Sequence, residues 1–195
     1  MLSKEQREAY IGIIQPMLTP KRFIHSLNVA REAVKLAEKY GADVTKAETA
    51  GLLHDILKDT PSDKQLKIIS DFGIIMSDTE LTATRFWHAV SGAIYIKTVL
   101  KTDDRDIFDA VRYHTTGRKD MSLLEKIVFI ADYISEDRDY PGVDEMRRIA
   151  YESLDKAIVE GLAFTIGDLV ERREPIVPDT IGAYNDAVLA VRHGE

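Results

Sequence analysis

The stretch Ala50-Gly51-Leu52-Leu53-His54-Asp55-Ile56-Leu57-Lys58-Asp59 sets an imidazole and a carboxylate side by side inside an apolar run. Leu52, Leu53, Ile56 and Leu57 are spaced for packing, and a helix that buries them gains nothing by burying His54 and Asp55 as well. An unpaired buried carboxylate is destabilising by several kcal/mol, so Asp55 needs a cation, hydrogen-bond donors or a metal. At about 100° per residue, Ala47, Ala50, Gly51, His54 and Lys58 share one helical face, with Asp55 beside it. The small residues on that face allow a neighbouring backbone to come close. Taken alone, the pair reads equally well as a core hydrogen bond at a helix end. The other histidines and acids of the chain decide between the two.

Upstream, Thr45-x-x-Glu48 reads as a capping box that opens the helix carrying His54. Before it, Thr19 caps and Pro20 begins a long helix to about Tyr40, closed by Gly41, with His25 at the edge of its apolar arc. Ser3-x-x-Gln6 opens a first helix to about Ile14. Downstream, Thr60-Pro61 stops the central element, Ser62 caps a helix to about Asp71, and residues 72–84 read as an irregular connection. A helix from Phe86 to about Leu100 sets His88 among Ala89, Gly92 and Ala93, with Trp87 in the core. The next starts at Asp103 or Asp104 and ends at His114, a favourable place for an imidazole against the helix dipole. Ser122-x-x-Glu125 caps a helix through Ile134 on which Asp132 shares the face of Val128 and Phe129, so Asp132 reads as buried. After a polar loop, Val143 to about Arg173 is helical with a break near Tyr151 or Gly161. The stiff link Glu174–Asp179 then leads to a final helix, Thr180 to His193. No strand candidate persists. The expected fold is all-α, one helical bundle of about eight or nine helices.

Composition narrows the function. The 195 residues suit one domain with a good-sized core, and a net charge of −7 provides no general basic field for nucleic acid. An anionic substrate would need a local cationic site. Cysteine is absent, which excludes disulfides, thiolate zinc sites, iron–sulfur clusters and a cysteine nucleophile, and agrees with a cytoplasmic address. The N-terminus has no apolar leader, and no later apolar run is long enough to span a bilayer, so neither a membrane nor nucleic acid is an expected partner.

His25, His54, Asp55, His88, His114 and Asp132 now form one pattern: six imidazoles and carboxylates on five helices, mostly beside apolar or small neighbours. Uncompensated burial of that many would exceed the net stability of a domain, roughly 5–15 kcal/mol. Mixed imidazole and carboxylate ligands suit iron, manganese, zinc, cobalt or nickel. His193, in the C-terminal tail, stands outside the set.

The order H…HD…D on helices resembles the HD-domain metal-dependent phosphohydrolases. The likeness extends through His88-Ala89-Val90-Ser91-Gly92-Ala93, Tyr113-His114-Thr115-Thr116-Gly117, Ala131-Asp132-Tyr133-Ile134-Ser135 and Arg138-Asp139-Tyr140-Pro141-Gly142-Val143. Together these look like the YqeK branch, described as symmetrical bis(5′-nucleosyl)-tetraphosphatases. The HD-GYP branch would need a Gly-Tyr-Pro element, which this sequence lacks. The resemblance implies one HD domain over residues 1–195, with a metal core at about 20–140 and C-terminal helices at 143–193 covering the site. It implies a divalent transition metal, typically iron, held by His25, His54, Asp55 and Asp132. One metal is favoured. His88 and His114 would complete a second metal site or act on phosphate directly. Lys58, Arg22, Arg138 and Thr115 are the candidates to meet substrate phosphates, and the link Pro175, Ile176, Val177, Pro178, Asp179, Thr180 to wall a base pocket. The expected reaction is hydrolysis of the central anhydride of a dinucleoside tetraphosphate. A mononucleotide phosphatase and a non-catalytic nucleotide sensor are the alternatives, and a homodimer is expected.

Overall fold

The structure is a computed structural model that describes residues 1–194, and among these it is helical with no strand. Its α-helices are α1 (Lys4–Ile14), α2 (Pro20–Tyr40), α3 (Val44–Leu53), α4 (Ser62–Asp71), α5 (Asp78–Thr82) and α6 (Trp87–Thr98). They continue as α7 (Arg105–Tyr113), α8 (Leu123–Ile134), α9 (Val143–Glu152), α10 (Leu154–Glu171) and α11 (Pro178–Gly194). The bundle holds two more helices than the nine segments read from sequence. One is α5, opened by a capping box between Ser77 and Glu80 inside the stretch expected to be irregular. The other comes from the break in the long C-terminal helix, which falls at Ser153. There the backbone turns extended, and the Ser153 hydroxyl accepts from Lys156 N–H to start α10.

Two expected caps differ. Asp43, not Thr45, caps α3 by accepting from the N–H groups of Thr45 and Lys46. Glu48 is thereby free of capping and, nearly buried, accepts from Leu2 N–H at 2.8 Å and pairs with Arg7 at 3.2 Å, fastening α1 to α3. Pro61 is the N-cap of α4, with Ser62 already helical.

The α3 segment packs on α2, α7 and α8, so the helices bearing the candidate ligands lie side by side. The closest approach is at Gly51: a Cβ there would sit 2.7 Å from Ala30 Cα and 3.0 Å from Ala30 N, both backbone atoms of α2. Ile127, Phe129 and Ile130 of α8 fill the centre, fully buried. A smaller cluster of Ile69, Phe86, Trp87, Val90, Ile94 and Val177 joins α4, α6 and the residues before α11. Trp87 is in that core, donating its indole N–H to Glu80 O.

Because the atoms that Gly51 faces are backbone and cannot swing aside, Gly51→Ala is expected to destabilise the fold by about 1–3 kcal/mol. Gly167→Ala, on α10 with nothing within 4 Å of the added methyl, is expected to stabilise it by about 0.5–1 kcal/mol. Urea unfolding of both variants checks the pair; equal shifts would contradict the close α2–α3 approach.

Candidate active site

The central helix ends earlier than its pattern suggests. α3 stops at Leu53, His54 is its C-cap, and residues 55–59 run on as turns, with Ile56, Lys58 and Thr60 each donating to the carbonyl three residues back. Lys58 therefore does not continue the α3 face read from sequence. His54 Nδ1–H donates to Gly51 O at 2.8 Å, and His114, the C-cap of α7, repeats the device by donating to Val111 O at 2.8 Å. Using Nδ1 in this way fixes the tautomer and leaves the Nε2 lone pair of each ring facing inward.

These lone pairs converge on Asp55. Asp55 Oδ1 lies 3.1 Å from His88 Nε2 and 3.6 Å from His114 Nε2, while Oδ2 lies 3.6 Å from His54 Nε2 and 3.3 Å from Arg22 Nη1. The rings of His25 and His54, His54 and His114, and His88 and His114 meet edge to face at 5.3, 4.9 and 5.2 Å. On the other flank, His25 Nε2 is 2.9 Å from Asp132 Oδ1, and its Nδ1 donates to Asp137 Oδ2 at 2.8 Å. Arg138 donates to the carbonyl of Asp132 at 2.7 Å and to its carboxylate.

The charge states follow from this crowding. Burial alone would push Asp55 and Asp132 up, but the imidazoles around Asp55, and Arg138 with His25 beside Asp132, outweigh it and hold both carboxyls well below the usual range. Burial pulls His54 and His88 down to about 4, against the attraction of Asp55, so both rings are neutral at pH 7. Burial also lowers Lys58, opposed by Asp55. His25 goes the other way: burial would lower it, but Asp132 and Asp137 raise it.

A neutral imidazole next to a carboxylate is a metal ligand pair, and one atom tests the fit. His54 Nε2 is fully buried with no hydrogen-bond partner, an arrangement that is unfavourable unless a ligand meets the lone pair. Three sets among the described residues bring their donor atoms within 4.8 Å of one another: His25, His54, Asp55; His54, His114, Asp132; and Asp55, His88, His114. This donor set fits a divalent metal ion.

Two members of the cluster, His114 and Asp132, line a cavity of about 400 Å³. Asp132 reaches it: its side chain is 18% exposed, so the carboxylate expected to be buried is an opening between cluster and cavity. Lys58, His114, Thr115 and Arg138 line the same end, and the Thr115 hydroxyl is buried without a partner. Of the expected base-pocket link, Pro175, Val177 and Thr180 line the cavity, while Ile176, Pro178 and Asp179 do not. Arg22 does not line it either, and pairs with Asp55 instead.

A family model described as HD domain matches residues 22–137. The chain belongs to the HD domain family. It is similar to the "Bis(5'-nucleosyl)-tetraphosphatase, symmetrical" of Bacillus subtilis, 38% identical over 92% of this chain and 96% of that protein. Its likeness to the protein of the same description from Halalkalibacterium halodurans is 39% over 92% and 95%. A crystal structure from Clostridium acetobutylicum, described as a "predicted HD superfamily hydrolase involved in NAD metabolism", superposes with a TM-score of 0.90 at 38% identity, covering 97% of this chain and 99% of that one. The HD domain match ends at Asp137, so most of the residues that wall the cavity away from the cluster come from beyond it.

Asp137 is the site residue that the sequence reading missed. It stands in a polar loop among other charged residues, yet it accepts from His25 Nδ1 and, at 2.9 Å, from Asn28. Asp137→Asn is expected to weaken Mn²⁺ binding by about 10–100-fold by removing the carboxylate that orients His25, while Asp139→Asn leaves it unchanged. Equilibrium dialysis measures both.

Proposed function

We propose that this protein hydrolyses dinucleoside tetraphosphates at the central anhydride, releasing two ADP from diadenosine tetraphosphate. The observation that carries the reading is the continuity of the His/Asp cluster with a cavity whose near wall is cationic and hydroxyl-bearing, at Lys58, Arg138 and Thr115. The described activity of the Bacillus and Halalkalibacterium relatives supports it.

His25, His54, Asp55 and Asp132 would hold the metal, with iron the ion implied by the resemblance to the YqeK branch. Asp55, His88 and His114 are the set that a second ion would use. When bound, the ion lowers the pKa of water toward neutrality and offsets phosphate charge. Asp137 keeps the His25 ring turned toward Asp132, and the Gly51 and Val111 carbonyls keep His54 and His114 in the tautomer that points Nε2 inward. Arg138 aligns Asp132 through both its carbonyl and its carboxylate, and presents the rest of its guanidinium to the cavity. Lys58 brings its ammonium between His88, 3.2 Å away, and the cavity, where it meets oxygens on which charge grows as the bridging P–O bond breaks. Thr115 has a hydroxyl free to donate to the same phosphates. Water adds to one central phosphorus, the bridging oxygen leaves with the other half, and the proton released passes to solvent. That residues after 137 supply most of the far cavity walls supports reading residues 1–195 as one catalytic unit, and the cysteine-free sequence agrees with a cytoplasmic address.

Iron-loaded protein prepared anaerobically and incubated with diadenosine tetraphosphate is expected to yield ADP alone by chromatography. Asp55→Ala should abolish turnover, and Lys58→Ala should lower kcat by about 10²–10³-fold, the scale for losing one preorganised donor. AMP with ATP would reverse the substrate register, and no turnover by metal-loaded protein would overturn the reading.

A further inference from the structure

A substrate with two nucleosides has two bases to place, and the cavity has two unlike apolar walls. One is Phe86, Pro175 and Val177, of which Phe86 and Val177 belong to the smaller hydrophobic cluster. The other is Tyr140 and Phe164, from the loop before α9 and from α10. An ion-pair set lines the cavity with them: Arg85, next to Phe86, lies 3.0 Å from Glu174 and 3.6 Å from Asp168, one turn beyond Phe164 on α10.

Phe164 is an unusual wall residue. It is 56% exposed, yet one face of its ring is stacked on Tyr140, with centroids 5.6 Å apart and planes 29° from parallel. Tyr133 meets it edge-on at 6.4 Å. The ring is thus held in place by two aromatic neighbours while much of its surface is open. Tyr140 and Phe164 also line an adjoining cleft of about 180 Å³, so the pair forms the ridge between that cleft and the main cavity. The phosphate end lies close by: Tyr133 follows Asp132 in the chain, and Tyr140 is two residues from Arg138.

Tyr133, Tyr140 and Phe164 line both the main cavity and the adjoining cleft, so a substrate that extends from one into the other passes along the aromatic pair. We propose that Phe164, braced by Tyr140, is the stacking platform for the second base of a two-base substrate, the first base lying against Phe86, Pro175 and Val177. The inference rests on the dinucleoside reading above and adds where the second nucleoside goes. Purine rings stack on an open aromatic face without needing base-specific hydrogen bonds, so the platform favours substrates with a second base without selecting its identity.

The test compares diadenosine tetraphosphate with adenosine 5′-tetraphosphate, which has the same phosphate chain and one base, on the unaltered protein and on Phe164→Ala, Phe164→Leu and Phe164→Trp. The ratio of kcat/KM for the two-base over the one-base substrate is expected to fall about tenfold in the Ala and Leu variants. The Trp variant should keep it. Because Leu retains the apolar bulk, a fall there assigns the effect to the aromatic face, and thermal melting of each variant reads any loss of fold separately. An unchanged ratio, or equal losses for both substrates, would overturn the platform while leaving the hydrolase intact. Absence of turnover of either substrate by the unaltered protein would instead remove the dinucleoside reading, and the platform with it.

Discussion

The buried carboxylate of Asp55 is the constraint around which the rest is arranged. An anion taken out of water is tolerated only when fixed positive or hydrogen-donating groups replace the solvent. Here Arg22 at 3.3 Å and His88 at 3.1 Å are placed to do so, while His54 and His114 turn lone pairs toward the same carboxylate, an arrangement that a bound cation would complete. These groups come from α2, α6 and the ends of α3 and α7, so building the surroundings of one carboxylate requires four segments of the chain to meet. The same crowding keeps His54 and His88 neutral, the form in which an imidazole can bind a metal ion. Folding and ligand preparation are thus one electrostatic problem with one solution.

That solution depends on helix ends as much as on helix faces. His54 and His114 both sit at C-caps and both spend Nδ1–H on the carbonyl three residues back, a use of the unsatisfied carbonyls that every helix terminus exposes. The capping hydrogen bond fixes the ring and aims Nε2 at the cluster. Small residues on the supporting helices then set how near the rings can come. Gly51 lets the α3 backbone press on Ala30 of α2, and the His25 and His54 rings meet at 5.3 Å as a result.

Above the cluster the chemistry changes from a tight ligand set to an open, mostly apolar cavity. Asp132 joins the two, held by Arg138 from one side and His25 from the other. Most of the far walls come from after residue 137, where the family match ends. The fold therefore divides in two: the helices of the HD match hold the charged cluster, and those that follow supply most of the far cavity walls. Membership in the HD domain family accounts for the cluster, while the far walls belong to the part of the chain beyond that match.

Local chemistry made much of this legible from the sequence. Periodicity and caps placed α1, α2, α4, α6, α7, α8 and α11 within a few residues, because each has its own apolar spacing and a Ser, Thr, Asp, Pro or Gly at its ends. The six imidazoles and carboxylates stood out because such groups beside core residues have no local reason to be there. The sequence alone could not separate Asp43 from Thr45 as the α3 cap, since both are good capping residues and only the contact of Glu48 with α1 breaks the tie. It could not mark Asp137, a charged residue among charged residues, until the fold set it against His25 across 112 positions. Nor could it give the aromatic pair Tyr140 and Phe164 a shared surface. Caps and periodicities act between near neighbours in the chain and can be read from it. Ligand pairing and cavity walls are contacts between distant segments, and only the packing of the helices brings those together.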